Sequence, residues 1–596
     1  MQKGNLNKWS NLQECINLLF FAELVNELLF DYSIPSNRVA TLNSHYLCVD
    51  ALSAINGIEN NGVPEGTLKP IMEELYVSLQ KDPAFDDADK PLNYFVKYQN
   101  ERYRISTNVS ELNYDELKKT AQALNSRFFE KDQYYQNLKS KIINIVVKNQ
   151  VDEQPCLFRL VKSLLTELIN SGYSKRYIYT ITNEIFWSPC SNVDSPTLIN
   201  CFFDRFTFKK HEFSVVFVVN KTKISTFINY MEDLHIENQM ESRTTSPVEK
   251  SFLRIGNAQG FLEIKSQAVD PFSAAESAKA ALSINAAFYR LCDHDYRYDI
   301  RSAKCGVYDE RNFYKVVQEK SAVSHTKMPS KKQIIENMET SEKALKSMTN
   351  KRNYRDYLSM INATLFHSQS LDSTSEENQL LDLWAIFESV LNISNKHTSD
   401  RIQQVCMYLI PILKRKYIFS LFLQLVNDIK NYSESEYSKI VGNSTDEAEI
   451  VQKVCEFIVL DENQDALNIF LQNCTDFPLL KERMEYYAKM FRTPLQVYEF
   501  VEKHAERVKW QIMRIYRNRN LIVHNGDTMP YVDLLIENLH SYVDDFLAYT
   551  THNLAKGHTI NSMCQELFAK ECEWIADFSN KKAEMNLDMV MKMLSL

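Results

Sequence analysis

A mainly α-helical, multi-domain protein with a small central α+β segment is the fold class this sequence predicts, and three observations carry that expectation. Apolar residues recur at helical spacing towards both ends of the chain. Gly is scarce at 11 residues and Pro modest at 15, which disfavours turn-rich β architecture. Only residues 200 to 315 shift to a strand-rich pattern. At 596 residues the chain exceeds one hydrophobic core, so several domains are expected.

In chain order, the first element is the apolar run "ECINLLFFAELVNELLF". Glu14, Asn17, Glu23, Asn26 and Glu27 interrupt it, and a membrane span needs about 20 predominantly apolar residues, so it reads as a core helix. Helical spacing continues through "IMEELYVSLQ", "YDELKKTAQALNSRFFEKDQYYQNLKSKIINIVV" and "LFRLVKSLLTELINSGYSKRYIYTITNEIF", giving a helical N-terminal domain over 1–195. Residues 196–317 read as an α+β domain. "EFSVVFVVN" is a strand, "KISTFINYMEDLHI" a helix, "FLRIGNAQGFLEIKSQ" two strands about a turn, "PFSAAESAKAALSINAAFYRLC" a long helix and "CGVYD" a last strand. That order suits a ferredoxin-like sandwich.

The polar stretch 318–333 reads as a linker, and 334–596 as a helical C-terminal region. There "DSTSEENQLLDLWAIFESVLNI" opens with the capping pairs Ser373–Glu376 and Thr374–Glu377, and "NYSESEYSKIVGNSTDEAE" reads as a loop. "TPLQVYEFVEKHAERVKWQIMRIYRNRNLIVHNG" is one long helix stopped at Asn525-Gly526, with Thr528 and Pro530 opening the next.

A formal charge of −9 argues against a surface built for duplex DNA but leaves room for a local basic patch. The twelve cysteines contain no CxxC pair, so reduced thiols and a cytoplasmic location are expected, and no secretory leader is read at the N-terminus. No GxxxxGK[ST] loop, GxGxxG turn or HExxH helix occurs, so neither a nucleotide cofactor nor a metal is expected.

The local patch falls in "RNRNLIVHNG". At about 100° per residue Arg517, Asn520 and His524 share a helix face, with Arg519 about 140° from His524. Arg507, Lys509 and Arg514 extend the basic helix upstream. RNA carries its own nucleophile, the 2′-OH, so a group that moves a proton and a group that stabilises charge on phosphorus oxygens suffice to cleave it. Histidine suits the first role and a guanidinium the second. The plainer reading is cations favoured at a helix C-terminus.

"RNLIVH", Arg519 to His524, resembles the RxxxxH motif of the HEPN superfamily of helical ribonucleases, with a polar residue directly after the arginine. "LLDLWAIFESVLN" resembles the first HEPN helix of the Apea-like abortive-infection group. The resemblance spans about residues 375–555. It implies a metal-independent endoribonuclease acting on RNA, a transfer RNA being one substrate class, in antiviral defence or as a toxin. Arg519, Asn520 and His524 would be the catalytic motif and Glu388 the carboxylate orienting it, with Arg517, Arg514 and Lys509 binding RNA and Arg517 held as the alternative arginine. It also implies a composite site built from two HEPN domains, hence a homodimer or a HEPN-containing partner. The alternative is a catalytically silent HEPN module that binds RNA or protein in a defence complex.

Other signals are weaker. Glu263 and Lys265 in "FLEIKSQ" lack the upstream acidic residue a metal-dependent nuclease needs and read as a solvated strand face. His367, His397 and His504 read as surface or core residues, and "LKRKY", 413 to 417, as a solvated basic turn.

Overall fold

The computed structural model describes all residues except 1–3, 30–41, 62, 86–90, 100, 131, 189–191, 222–235, 245, 292, 295–303, 310–311, 318–330, 351–353, 374, 392–400, 527–528, 530, 582 and 595–596. The N-terminal apolar run forms α1 (Ile16–Leu29), buried along nearly its whole length. Three of the polar residues that interrupt it find partners inside the protein. Asn17 donates to the carbonyls of Ile145 at 3.3 Å and Gln150 at 2.8 Å, Glu23 accepts from the Leu479 N–H at 3.3 Å, and Glu27 pairs with Arg483. Buried polar groups persist where they are hydrogen-bonded, so α1 is a core helix, as its sequence suggests. Among the described residues no helix is long and apolar enough to cross a membrane.

Helices also dominate the chain beyond α1: α2 (Ser44–Asn61), α3 (Leu68–Lys81), α4 (Tyr114–Leu124), α5 (Gln133–Lys148), α6 (Gln154–Asn170), α7 (Lys175–Thr182) and α8 (Ile199–Phe203). A short antiparallel hairpin, β1 (Val96–Gln99) with β2 (Arg102–Ile105), interrupts them before α4. The central segment then adds β3 (His211–Asn220), β4 (Ile236–Glu237), α9 (Pro247–Phe252), β5 (Gln259–Ala268), α10 (Pro271–Arg290), β6 (Cys305–Asp309) and β7 (Asn312–Val317). After it come α11 (Lys331–Asn350), α12 (Tyr354–Asp372), α13 (Glu376–Val390), α14 (Arg401–Tyr432), α15 (Glu434–Val441), α16 (Glu447–Val459), α17 (Gln464–Asn473) and α18 (Pro478–Met490). The last four are α19 (Pro494–Asn525), α20 (Val532–Ala555), α21 (Ile560–Phe578) and α22 (Leu587–Leu594). The protein is mainly α, with its larger sheet confined to the central segment.

That sheet departs from the expected ferredoxin-like form. Its strand order is β4-β5-β3-β6-β7, and β3 runs antiparallel to both β5 and β6. A split βαβ unit would make the central pair parallel, so the ferredoxin topology is not formed. The residues "FLRI" are no strand either: Pro247 starts α9 in its first turn and Leu253 caps its end. The helix expected over "KISTFINYMEDLHI" lies outside the described residues but for its last isoleucine, Ile236 in β4. Both faces of β3 are apolar because both are covered. Val215 and Phe217 join Leu262, Ala275 and Leu282 on the α10 side, and Val216 joins Phe252, Phe261 and Tyr308 on the other. Gly306 is required there, since a Cβ would stand 2.8 Å from the Phe252 ring.

The chain divides into two units on a different plan from the sequence. One comprises Met1–Thr166, Asn192–Thr197 and His325–Leu596, the other Glu167–Ser191 and Leu198–Ser324. The N-terminal domain expected over 1–195 and the C-terminal region expected over 334–596 are therefore one body, and the central domain takes in α7. Buried charge joins the two helical regions. Arg483 of α18 is held by Glu27 of α1 and by Asp428 of α14, the latter at 2.6 Å. Arg514 and Arg517 of α19 meet Asp50 of α2 and Glu74 of α3. The linker read over 318–333 is described only from Lys331, where α11 begins.

Local signals set several helix ends. Thr493 forms a capping box with Gln496, and Pro494 occupies the first turn of α19. The cap of α13 is Ser375, whose hydroxyl accepts from the Asn378 N–H at 3.2 Å, rather than Ser373; Thr374 lies outside the described residues. The expected loop "NYSESEYSKIVGNSTDEAE" contains α15, capped by Ser433. "LKRKY" is not a turn but part of α14, and its Lys414 is buried between Glu502, at 2.6 Å, and Glu571.

Asp50 has no exposed side-chain surface and serves Arg514, Arg517 and Tyr531. Removing one partner of a buried ion pair costs about 3 to 5 kcal/mol because the remaining charge is stranded. Asp50→Ala is therefore expected to lower the stability of the helical unit by about that amount, read as a lower urea midpoint in tryptophan fluorescence.

Candidate functional site

The C-terminal half of α19 places its arginines on opposite sides. Arg514 and Arg517 lie almost one turn apart and point into the protein. Arg517 is 9% exposed and bound to Asp50, and Arg514 is 2% exposed with Glu74 and Asp50. Burial works against the charge of Arg514, but Glu74 and Asp50 outweigh it and raise its pKa. Burial, then the neighbouring Asp50, pushes the Tyr531 phenol up, so it stays protonated and donates to Asp50 at 2.7 Å. The expectation that Arg514 and Arg517 contact RNA is thereby corrected, and Arg517 is also removed as the alternative motif arginine. Both guanidiniums are committed to buried carboxylates.

Arg519 is about 200° further round the helix from Arg517 and faces α13. Its Nη2 lies 3.6 Å from Glu388 Oε1, and its Nη1 donates to Asn520 Oδ1 at 3.1 Å. Glu388 is itself fixed by Trp384, one turn earlier on α13, whose indole N–H donates to the same oxygen at 3.0 Å. The Trp384 ring packs on Tyr516 of α19, with centroids 5.4 Å apart, so one aromatic contact sets the spacing of the two helices at the ion pair. About a quarter of each side chain, 25% of Arg519 and 27% of Glu388, remains open to solvent. The guanidinium has five N–H donors, and the Glu388 and Asn520 contacts leave others for a phosphate oxygen.

The helix closes behind these residues. Asn518, fully buried, donates to the Arg514 carbonyl at 3.0 Å and accepts from the Met529 N–H at 3.3 Å, tying the chain beyond the helix back to it. Gly526 caps α19 at φ +66°, its N–H donating to the Ile522 carbonyl at 3.0 Å, a left-handed conformation that favours glycine. Thr528 and Pro530 lie outside the described residues. His524 is exposed in the last turn. Among the described residues no hydrogen bond or ion pair joins it to Arg519, Asn520 or Glu388. Lys509 is exposed further up α19. The structure thus brings Arg519, Asn520 and Glu388 together and leaves His524 presented at the helix end.

The other singled-out residues are accounted for structurally. Glu263 pairs with Arg243 at 2.7 Å and Lys265 with Glu212 at 3.0 Å. His397 lies outside the described residues. His367 meets His540 and Asp544 in a cluster that sequence reasoning missed, although the i, i+4 spacing of His540 and Asp544 on one helix was its available signal. His504 is a core residue stacked on Tyr417, with centroids 3.5 Å apart and planes 7° apart.

The chain matches no protein-family model, no curated protein and no solved structure.

Burial first, then Arg507 and Lys414, lower the His504 pKa from 6.5 to about 3. The folded protein therefore holds this imidazole neutral where the unfolded chain would protonate it. Its neutral burial is free of that proton linkage above pH 6.5, and stability is lost as pH falls from 6.5 towards 3, by up to about 1.4 kcal/mol per pH unit. His504→Phe, which keeps a ring against Tyr417, is expected to flatten this part of the profile. Urea midpoints between pH 7 and pH 4, compared with wild type, are the check.

Proposed function

We propose that this chain is a metal-independent endoribonuclease of the HEPN kind, cleaving RNA by attack of the 2′-OH on the adjacent phosphate. The observation that carries the reading is the partly exposed Arg519, held by Glu388 at 3.6 Å and donating to Asn520, while the two arginines nearest it upstream are consumed in the interior. An arginine kept at the surface by a carboxylate that is itself fixed by an indole is preorganised for an anion.

In this reading Arg519 stabilises charge on the phosphorus oxygens, Asn520 holds the phosphate or the histidine, and Glu388 orients the guanidinium. His524 moves the proton of the 2′-OH or of the leaving 5′-oxygen. Cleavage then leaves a 2′,3′-cyclic phosphate and a 5′-OH, and DNA is inert because it lacks the nucleophile. One Arg-His set per chain accords with a composite site made by two copies or by a HEPN-containing partner. Action in the cytoplasm against RNA such as transfer RNA, as a toxin or in abortive antiviral defence, follows from the same resemblance.

His524, joined to none of Arg519, Asn520 and Glu388 among the described residues, favours a second reading, a silent module that binds RNA or protein without cutting. Purified protein incubated with total cellular RNA in EDTA separates the two. Wild type is expected to cut and leave cyclic phosphate ends, and His524→Ala or Arg519→Ala to slow cutting by at least about a hundredfold. RNA that is retained but intact, or variants that cut as fast as wild type, would overturn the nuclease assignment.

A further inference from the structure

Away from the motif, α12 and α20 bring two imidazoles and a carboxylate to one point. His540 and Asp544 lie one turn apart on α20, with Nδ1 3.4 Å from Oδ2. His367 enters from α12 with Nε2 3.3 Å from Asp544 Oδ1. The two rings stack with centroids 5.4 Å apart and planes 26° apart, and the three ligand atoms lie within 4.8 Å of one another.

These spacings have a chemical meaning. Two ligands on a tetrahedral ion with bonds of about 2.0 to 2.1 Å stand about 3.3 to 3.4 Å apart; the two separations here have that length but end on different oxygens of Asp544, so binding draws one carboxylate oxygen and the two imidazole nitrogens together from within 4.8 Å. Imidazole nitrogens with one carboxylate suit zinc and its first-row neighbours, whereas magnesium and calcium take oxygen donors. The side chains are graded in exposure, from 9% for His540 through 24% for His367 to 37% for Asp544. An ion would thus be anchored on its histidine side and open to water on its carboxylate side. Three protein ligands with a water in the fourth position is a common zinc arrangement.

We propose that His367, His540 and Asp544 form a binding site for a divalent transition-metal ion of the zinc class, which clamps α12 to α20. The site stands whether or not the chain is a nuclease. It has a mechanical connection to the motif: Phe387, beside Glu388 on α13, packs against Phe546, two residues beyond Asp544, with ring centroids 5.3 Å apart.

The test uses full-length protein stripped with chelator and titrated with Co²⁺, followed by calorimetry and by the visible absorption of the ion. Saturable binding of one equivalent with tetrahedral-type absorption, displaced by Zn²⁺, is expected. His367→Gln and Asp544→Asn, both at partly exposed positions, should retain wild-type far-ultraviolet circular dichroism. Each should weaken binding by more than about a hundredfold, the upper range for loss of a mere outer-shell partner. Absence of saturable binding to folded wild type would overturn the site and leave a hydrogen-bonded His–Asp–His relay. Undiminished binding in a folded His367→Gln/Asp544→Asn double variant would also overturn it, by placing the ion elsewhere, for example on the exposed thiols Cys201 or Cys572.

Discussion

The carboxylate of Asp50 is the interaction on which the helical unit most depends. It lies fully buried on α2 and receives Arg514, Arg517 and the Tyr531 hydroxyl, while Glu74 on α3 takes the other end of Arg514. Buried ion pairs are weak contributors to net stability when compared with apolar packing, but they tolerate no mispairing, because a stranded charge is expensive. Polar side chains distributed over α2, α3, α19 and the residue leading into α20 therefore admit few alternative registers. The consequence for α19 is rotational: with Arg514 and Arg517 fixed inward, Arg519 has to face α13.

This constraint explains why the ends of α19 were readable and the domain boundaries were not. The ends of α19 are encoded locally, in the Thr493 box with Pro494 and in Gly526 at positive φ, and the strand β3 is encoded in an unbroken β-rich run. The union of the two helical regions is encoded in pairs more than 400 residues apart, Asp50 with Arg517 and Glu27 with Arg483, which no local pattern displays. The same limitation applies to burial. Lys414 in a basic pentapeptide and Arg514 in a basic helix look like solvated charges until their carboxylates are placed. Strand direction was hidden for a related reason: apolar patterning marks β3 and β5 but does not say that they run antiparallel.

At the candidate site, the family resemblance singled out Arg519 and Glu388 where residue types left Arg517 and Arg519 as equals, and only geometry distinguished the three neighbouring arginines. Arg514 and Arg517 tie α19 to the N-terminal helices, and Arg519 is left with Glu388, Asn520 and solvent. Trp384 links these roles, since its ring spaces α13 from α19 and its indole N–H holds Glu388. The motif is thus presented by a framework whose strongest electrostatic ties lie in its interior.

The division of labour along α19 is tested by the thermal melting of Arg517→Ala and Arg519→Ala beside wild type. Arg517→Ala should melt well below wild type, because it takes one guanidinium from the buried Asp50, whereas Arg519→Ala should melt with wild type. Equal loss of stability in both variants, or a wild-type melting curve for Arg517→Ala, would contradict the account.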